Sequence, residues 1–348
     1  MVAVEELDHE SEVIEPVRAG LIADAEGVQQ LRPALAARDL QIVAQSGMRQ
    51  PEGLPDVPWF DDARAMTAQT GVQALLVAVS PRAAFEVDAL VADKPLPIWR
   101  LPPLARSFAE GAELITRVRQ RRGLYRVASW WDAVAEEVRW ALRCREGFKP
   151  LFSTVRVSAP GPVLQSWRSS RANGPGGVLA TDAYAMLEAL VAVRALPERV
   201  YGSIGSLRRR PDETPRETED VALAILRYEG GTTAVVEATW DASPPGQSTH
   251  HHGAELSVVI EPTRVAVYGS AGELIGERPL ATEVFLRQEL ERFTDAVRHP
   301  VAASEPDAAL ERHLAVLALL EAIYLSARTG QPESPAKFYE VRGWPQPR

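Results

Sequence analysis

The residue types able to do chemistry are thinly spread along this chain. Three histidines stand together, His250-His251-His252. On an extended chain, neighbouring side chains point to opposite sides, so the three cannot converge on one metal ion. No acid or cysteine stands nearby at ligand spacing. The run therefore reads as a polar loop, and no metal site is expected. Cys144 is the only cysteine, which excludes an intrachain disulfide. It stands among Arg143, Arg145 and Glu146 on a helical pattern and reads as structural. Trp130-Trp131, Trp167 and Arg168 are types that line sugar or acid pockets. They are equally types that fill a core or a subunit contact. Neither a P-loop nor a Ser/His/Asp order is present in the sequence.

The elements that must position these residues belong to a chain of 348 residues, enough for two ordinary domains. Apolar residues make up 46% and charged ones 24%, so a sizeable core is available. The net charge of −9 argues against a nucleic-acid or anionic-membrane partner, since both need a basic face. Arg117, Arg119, Arg121, Arg122 and Arg126 form the one basic run, and cations there complement a helix end. The sequence opens without a basic-then-apolar signal. Its longest apolar run, Leu314 to Leu325, is broken by Glu321 and too short for a bilayer. A cytoplasmic protein is expected.

Residues 1–15 are acidic and aperiodic and read as a flexible leader. From 16 to 124, strands alternate with helices. Strands are expected at Val17–Ile22, Leu40–Ala44, Gln73–Val79 and around Ile98, and helices at Gly27–Ala37, Asp62–Gln69, Pro81–Ala92 and Ala105–Arg121. That alternation predicts an α/β domain, a Rossmann-like doubly wound parallel sheet. From 125 to 330 the rhythm changes. Helices are expected at Asp132–Arg143, Gly174–Leu196, Glu283–Arg298 and Asp307–Thr329. Strands are expected at Phe152–Val157, Val221–Tyr228, Thr232–Trp240, Glu255–Ile260 and Arg264–Tyr268. This predicts an α+β domain with a large, mainly antiparallel sheet. Residues 331–348 read as a tail.

One stretch carries a resemblance. Gly174-Pro175-Gly176-Gly177 opens a helix through Thr181, Asp182, Tyr184, Ala185 and Glu188. Two strands then follow Glu219-Asp220 around Gly230-Gly231. This order resembles the second domain of the Gfo/Idh/MocA oxidoreductases (glucose–fructose oxidoreductase, inositol dehydrogenase and their relatives). The first domain is similar to theirs as well, so the resemblance runs from about Val17 to Arg328. It implies an NAD(P) cofactor, hydride transfer on a sugar or cyclitol, and a homo- or hetero-oligomer formed through the C-terminal sheet. Val221-Ala222-Leu223-Ala224-Ile225-Leu226, apolar on both sides, fits a sheet covered on both faces.

The residues that would carry the implied chemistry are mostly replaced. Where the family places its glycine-rich phosphate turn, this chain has Ala23-Asp24-Ala25-Glu26. Alanines crowd the turn, and the acids add negative charge where phosphate should sit. The second strand ends without the ribose-binding acid; Ser46 and Arg49 stand there, a pair that could take a 2′-phosphate or simply form a solvated loop. Ser80-Pro81 matches the family's step beside the nicotinamide. The family's lysine falls on Pro102, its aspartate on Thr181 and its histidine on Ala185. None of these exchanges a proton near neutral pH. Arg100, Asp182 and Tyr184 are the substitutes at hand. Asp182 is one residue, about 100° of helix, off register. Arg100 stays protonated. Three readings remain open. The first is a degenerate, non-catalytic relative acting as partner or regulator of an active homologue. The second is an NAD(P)-dependent oxidoreductase with rearranged residues. The third is a sensor for a sugar-like ligand.

Overall fold

The computed structural model describes residues 15–36, 39–47, 56–69, 71–121, 123–163, 165–206, 216–241, 244–281, 284–300 and 307–346. The leader up to residue 14, Arg49 and Arg122 lie outside the described residues. The first domain runs β1 (Val17–Ala23), α1 (Ala25–Leu31), β2 (Leu40–Ser46), β3 (Trp59–Phe60), α2 (Ala63–Gln69), β4 (Ala74–Ala78), α3 (Pro81–Leu90), β5 (Ile98–Arg100), α4 (Phe108–Arg121) and β6 (Tyr125–Val127). All strand pairs are parallel, in the order β3-β2-β1-β4-β5-β6. β4 is buried along its whole length, as a strand with helices on both faces must be. The parallel sheet takes in Tyr125–Val127, so it reaches past the expected boundary at 124.

The second domain runs α5 (Trp130–Arg143), β7 (Phe152–Ala159), α6 (Tyr184–Arg194), β8 (Arg199–Gly205), β9 (Val221–Arg227), β10 (Thr233–Trp240), β11 (Gly246–His252), β12 (Leu256–Glu261), β13 (Arg264–Gly269), β14 (Leu274–Pro279), α7 (Phe285–Arg298), α8 (Asp307–Thr329) and α9 (Ala336–Arg342). Eight strands pair in the order β14-β13-β12-β11-β7-β10-β9-β8. Only β7 and β10 run parallel; the rest of this sheet is antiparallel. One core cluster runs through both sheets, where α8 packs on β8, α6 and α4; a second cluster lies on the other face of the parallel sheet, where α7 packs on β1 and β2.

Four findings bear on these expectations. First, the helix expected from Gly174 begins only at Tyr184. The amides of Gly177 and Leu179 donate instead to the Glu219 carboxylate, at 2.8 and 3.2 Å, which holds the stretch in turns. Second, the histidine run is an inner strand, not a loop. His251 faces the core and shares a hydrogen bond with the Ser153 hydroxyl at 2.9 Å, while His250 and His252 face outward. Third, this chain itself covers one face of β9. Ala222, Ala224 and Leu226 are buried, whereas Leu223 and Ile225 are 48% and 51% exposed. Fourth, the expected tail contains α9, whose Tyr339 is fully buried against Phe108.

Candidate functional site

The first candidate groove lies at the C-terminal ends of β1, β2 and β4, where an open parallel sheet binds ligands. It has a volume of about 450 Å³ and gathers Ala23, Asp24, Ala25, Ser46 and Ser80, as the sequence suggested. It also gathers Asp61, Asp62 and Glu86, which sequence reading did not single out. Its described lining therefore holds four carboxylates and neither lysine nor arginine. Two of these acids have a local reason to be there. Asp24 caps α1, accepting from the Gly27 amide at 2.8 Å, and Asp62 accepts from the Arg64 amide at 3.0 Å. Ser80 caps α3 in the same way, accepting from the Ala83 amide at 3.3 Å, with Pro81 in the first turn. Burial raises the Asp24 carboxyl above its ordinary range; the Gly27 amide opposes this and the neighbouring Glu26 adds to it.

Glu26, in the first turn of α1, reaches the second domain instead. Its carboxylate pairs with Arg168 Nε at 2.6 Å and accepts from the Ser166 hydroxyl at 2.6 Å. Arg168 sits on a single turn of 3-10 helix, and its Nη1 donates to both Asp182 oxygens at 3.1 Å. Asp182 also accepts from the Trp240 indole at 2.8 Å and from the Thr181 hydroxyl at 3.1 Å. The result is a clasp from the N-terminus of α1, through Arg168, to the turns before α6. Asp182 is committed to structural partners, and so is Arg168, which the sequence offered as a pocket residue.

A second cavity, of about 660 Å³, opens between the domains. It brings together Pro102 and Ala185, onto which the resemblance would place the family's lysine and histidine, with Asp182, Tyr184, Trp130 and Phe285. Trp131 is withdrawn into the core. Trp167 packs instead beside Gly174. Thr181 turns its hydroxyl onto the Gly177 carbonyl at 2.8 Å. Arg100 does not line this cavity. It is 1% exposed and donates to Asp88, to the Tyr125 hydroxyl and to the Pro103 carbonyl. It is a buried structural cation and not a substitute for a proton shuttle.

Beneath this cavity runs a polar network that the sequence did not disclose. The Tyr184 hydroxyl meets His313 Nδ1 at 3.1 Å, with the two rings stacked at 5.7 Å. His313 Nε2 stands 3.9 Å from Glu188, which accepts from the Ser129 hydroxyl at 2.6 Å and from Arg312 Nε at 2.9 Å. Burial keeps the Tyr184 hydroxyl protonated well above the usual phenol range. Burial also lowers His313, although Glu188 pulls the other way. Arg312 and His313 come from α8, more than a hundred residues after Glu188, and no local pattern links them. Among the described residues, no group of three His, Cys, Asp or Glu could hold a metal. No described helix is long and apolar enough to cross a membrane.

A dinucleotide-type parallel sheet joined to a broad mixed sheet, with a cavity between them, defines a two-domain oxidoreductase fold. Residues 149–275 match the family described as the GFO/IDH/MocA C-terminal domain, so the resemblance read from Gly174 to Thr232 holds. Solved structures agree over nearly the whole chain. An oxidoreductase from Agrobacterium radiobacter, in complex with NAD+, L-tartaric acid and magnesium, superposes with a TM-score of 0.73 at 16% identity, covering 92% of this chain and 99% of that one. The WlbA dehydrogenase from Bordetella pertussis, in complex with NADH and UDP-GlcNAcA, gives 0.70 at 20% identity, covering 92% and 98%. Levoglucosan dehydrogenase with NADH and levoglucosan gives 0.74 at 16% identity, covering 92% and 99%. No curated protein matches the chain in sequence. At these identities the likeness establishes a Gfo/Idh/MocA-type oxidoreductase fold, and the site residues must be judged on their own.

Proposed function

We propose that this chain is a redox-silent relative of the Gfo/Idh/MocA oxidoreductases that acts as partner or regulator of an active homologue. The observation that carries this is the chemistry of the first groove. A pyrophosphate needs free amides at a helix N-terminus and no competing charge. Here the Gly27 amide is taken by Asp24, and Glu26 in the first turn of α1 is paired with Arg168. Asp61, Asp62 and Glu86 give the described lining charges of one sign. Each carboxylate about 5 Å from a phosphate charge costs about 3 kcal/mol at an effective dielectric of 20. These residues do not fit a dinucleotide. Pro102 and Ala185 support the same reading, because neither exchanges a proton.

In this reading the cavity between the domains is kept for a small sugar-like ligand, with Trp130, Tyr184 and Phe285 as its apolar walls. The uncovered sheet face, with Tyr201, Leu223 and Ile225 exposed, is where a second subunit docks. One observation favours the oxidoreductase alternative: Tyr184 backed by His313 is an acid–base pair beside the cavity. The two readings separate in a thermal-shift panel of NAD+, NADH, NADP+ and NADPH against neutral sugars and cyclitols. Stabilisation by no nucleotide supports the redox-silent reading, and stabilisation by a sugar as well would mark a ligand sensor. Stabilisation by a nucleotide, with turnover of any polyol, overturns it.

A further inference from the structure

A third cavity, of about 260 Å³, lies on the other side of α3 from the acidic groove. Glu86 lines the groove, and Asp88, two residues and about 200° of helix further on, lines this cavity with Leu114, Arg117, Arg121 and Tyr125. Its polar atoms are left incomplete. Asp88 accepts from the Tyr125 hydroxyl at 2.8 Å and from Arg100 at 3.4 Å, both through Oδ2. Its Oδ1 is buried and has no partner. Arg117 is anchored by Glu113 and stacks 4.8 Å from the Phe85 ring, yet its Nη1 is also buried without a partner. Arg121 reaches the Leu96 carbonyl, and no carboxylate pairs with it among the described residues. A buried donor or acceptor left unpaired is destabilising, and here two belong to residues lining a single cavity.

Charge bookkeeping narrows the ligand. Arg100 balances Asp88, and Glu113 balances Arg117. Arg121 feels Asp88 as well, so two carboxylates, Asp88 and Glu113, face three guanidinium groups, and one positive charge is left over. A ligand that satisfies this wall must donate a hydrogen bond to Asp88 Oδ1 and present an anion to Arg117 and Arg121. Leu114, Val118 and Ala92 leave room beside that pair for a small aliphatic group. We propose that this cavity binds a free, small aliphatic α-amino acid, its ammonium on Asp88 and its carboxylate on Arg117 and Arg121. The site is separate from both the groove and the interdomain cavity, and its occupancy does not depend on whether a nucleotide binds.

The test is calorimetric titration of the full chain with L-alanine, L-valine and L-leucine. Isobutylamine and isovalerate serve as amine-only and acid-only controls. Saturable binding of at least one amino acid, with both controls at least tenfold weaker, is the expected result. Arg121→Gln should weaken it a further tenfold or more with an unchanged melting temperature, because Arg121 is a partly exposed helix residue outside the core. Asp88→Asn should weaken binding too, but it also touches the Arg100 pair, so Arg121→Gln is the deciding variant. Absence of heat with all three amino acids would overturn the proposal. So would isovalerate binding as tightly as valine, which marks a simple anion site, or Arg121→Gln binding valine normally.

Discussion

Arg168 joins three groups that lie far apart in the chain: Glu26, Asp182 and, through its carbonyl, the Thr218 hydroxyl at 2.8 Å. Both ion pairs are mostly shielded from solvent, with side chains 17–20% exposed. Truncation would strand the carboxylates of Glu26 and Asp182. Arg168→Ala is therefore expected to cost about 1–3 kcal/mol, after allowance for partial solvent screening. A urea-denaturation midpoint equal to wild type would show that the clasp is idle. Glu289 gives a second residue-scale prediction. Burial, with Asp132 nearby, pushes its carboxyl up to about 7, against the pull of Arg292 and Arg126. The unfolded chain loses this proton near the ordinary value of 4.5. Between these two pH values the folded state holds a proton that the unfolded state has released. Stability from this group is thus lost as pH rises through the window, and it stays lost above it. Glu289→Gln removes the titration. The variant should gain on wild type between about pH 4.5 and 7, by up to about 3 kcal/mol. Parallel denaturation curves at both ends of the window, with an unchanged difference, would contradict this. At this scale the sequence disclosed the replacements, because Ala23, Pro102 and Ala185 stand at positions where a type has a fixed meaning. It did not disclose the pairings of Glu26 with Arg168 or of Tyr184 with His313, since both form only after distant elements pack.

At the scale of elements, two glycines set close contacts. A Cβ on Gly27 would lie 1.8 Å from the Ala78 carbonyl oxygen, and one on Gly177 would lie 2.0 Å from the Glu219 carbonyl oxygen. Both neighbours are backbone and cannot swing aside. Gly27→Ala must lift α1 off β4, at a cost of at least about 3 kcal/mol. A melting temperature within a degree or two of wild type would refute that packing. Strands with strong patterns were legible. The apolar run at Ala74–Ala78 and the alternation of Val221–Arg227 appear where the sequence placed them. β11 was not, because a polar His-His-His run carries no apolar signature although only its middle residue is buried. The onset of α6 was misread because the glycines looked like a helix opening, while Glu219, 42 residues later, takes the Gly177 amide.

At the scale of the whole molecule, α7 and α8 tie the two sheets into one body, with Glu321 of α8 accepting from the Phe108 amide at 2.7 Å. The face of the large sheet away from these helices is left open. Tyr201, Leu223 and Ile225 are between 45% and 51% exposed on neighbouring strands, an apolar patch that a subunit contact would cover. If that face joins subunits, Leu223→Lys with Ile225→Lys should halve the sedimenting mass without unfolding the chain. An unchanged mass in analytical ultracentrifugation would place the contact elsewhere. The central claim concerns the other end of the molecule, where a dinucleotide fold presents carboxylates in place of a phosphate cradle. The most direct test is calorimetric titration of the wild-type chain with NAD+, NADH, NADP+ and NADPH. The account predicts no heat of binding for any of the four up to millimolar concentration. Saturable binding in the micromolar range would contradict it, and would mean that Asp24, Glu26 and Arg168 rearrange to admit the cofactor.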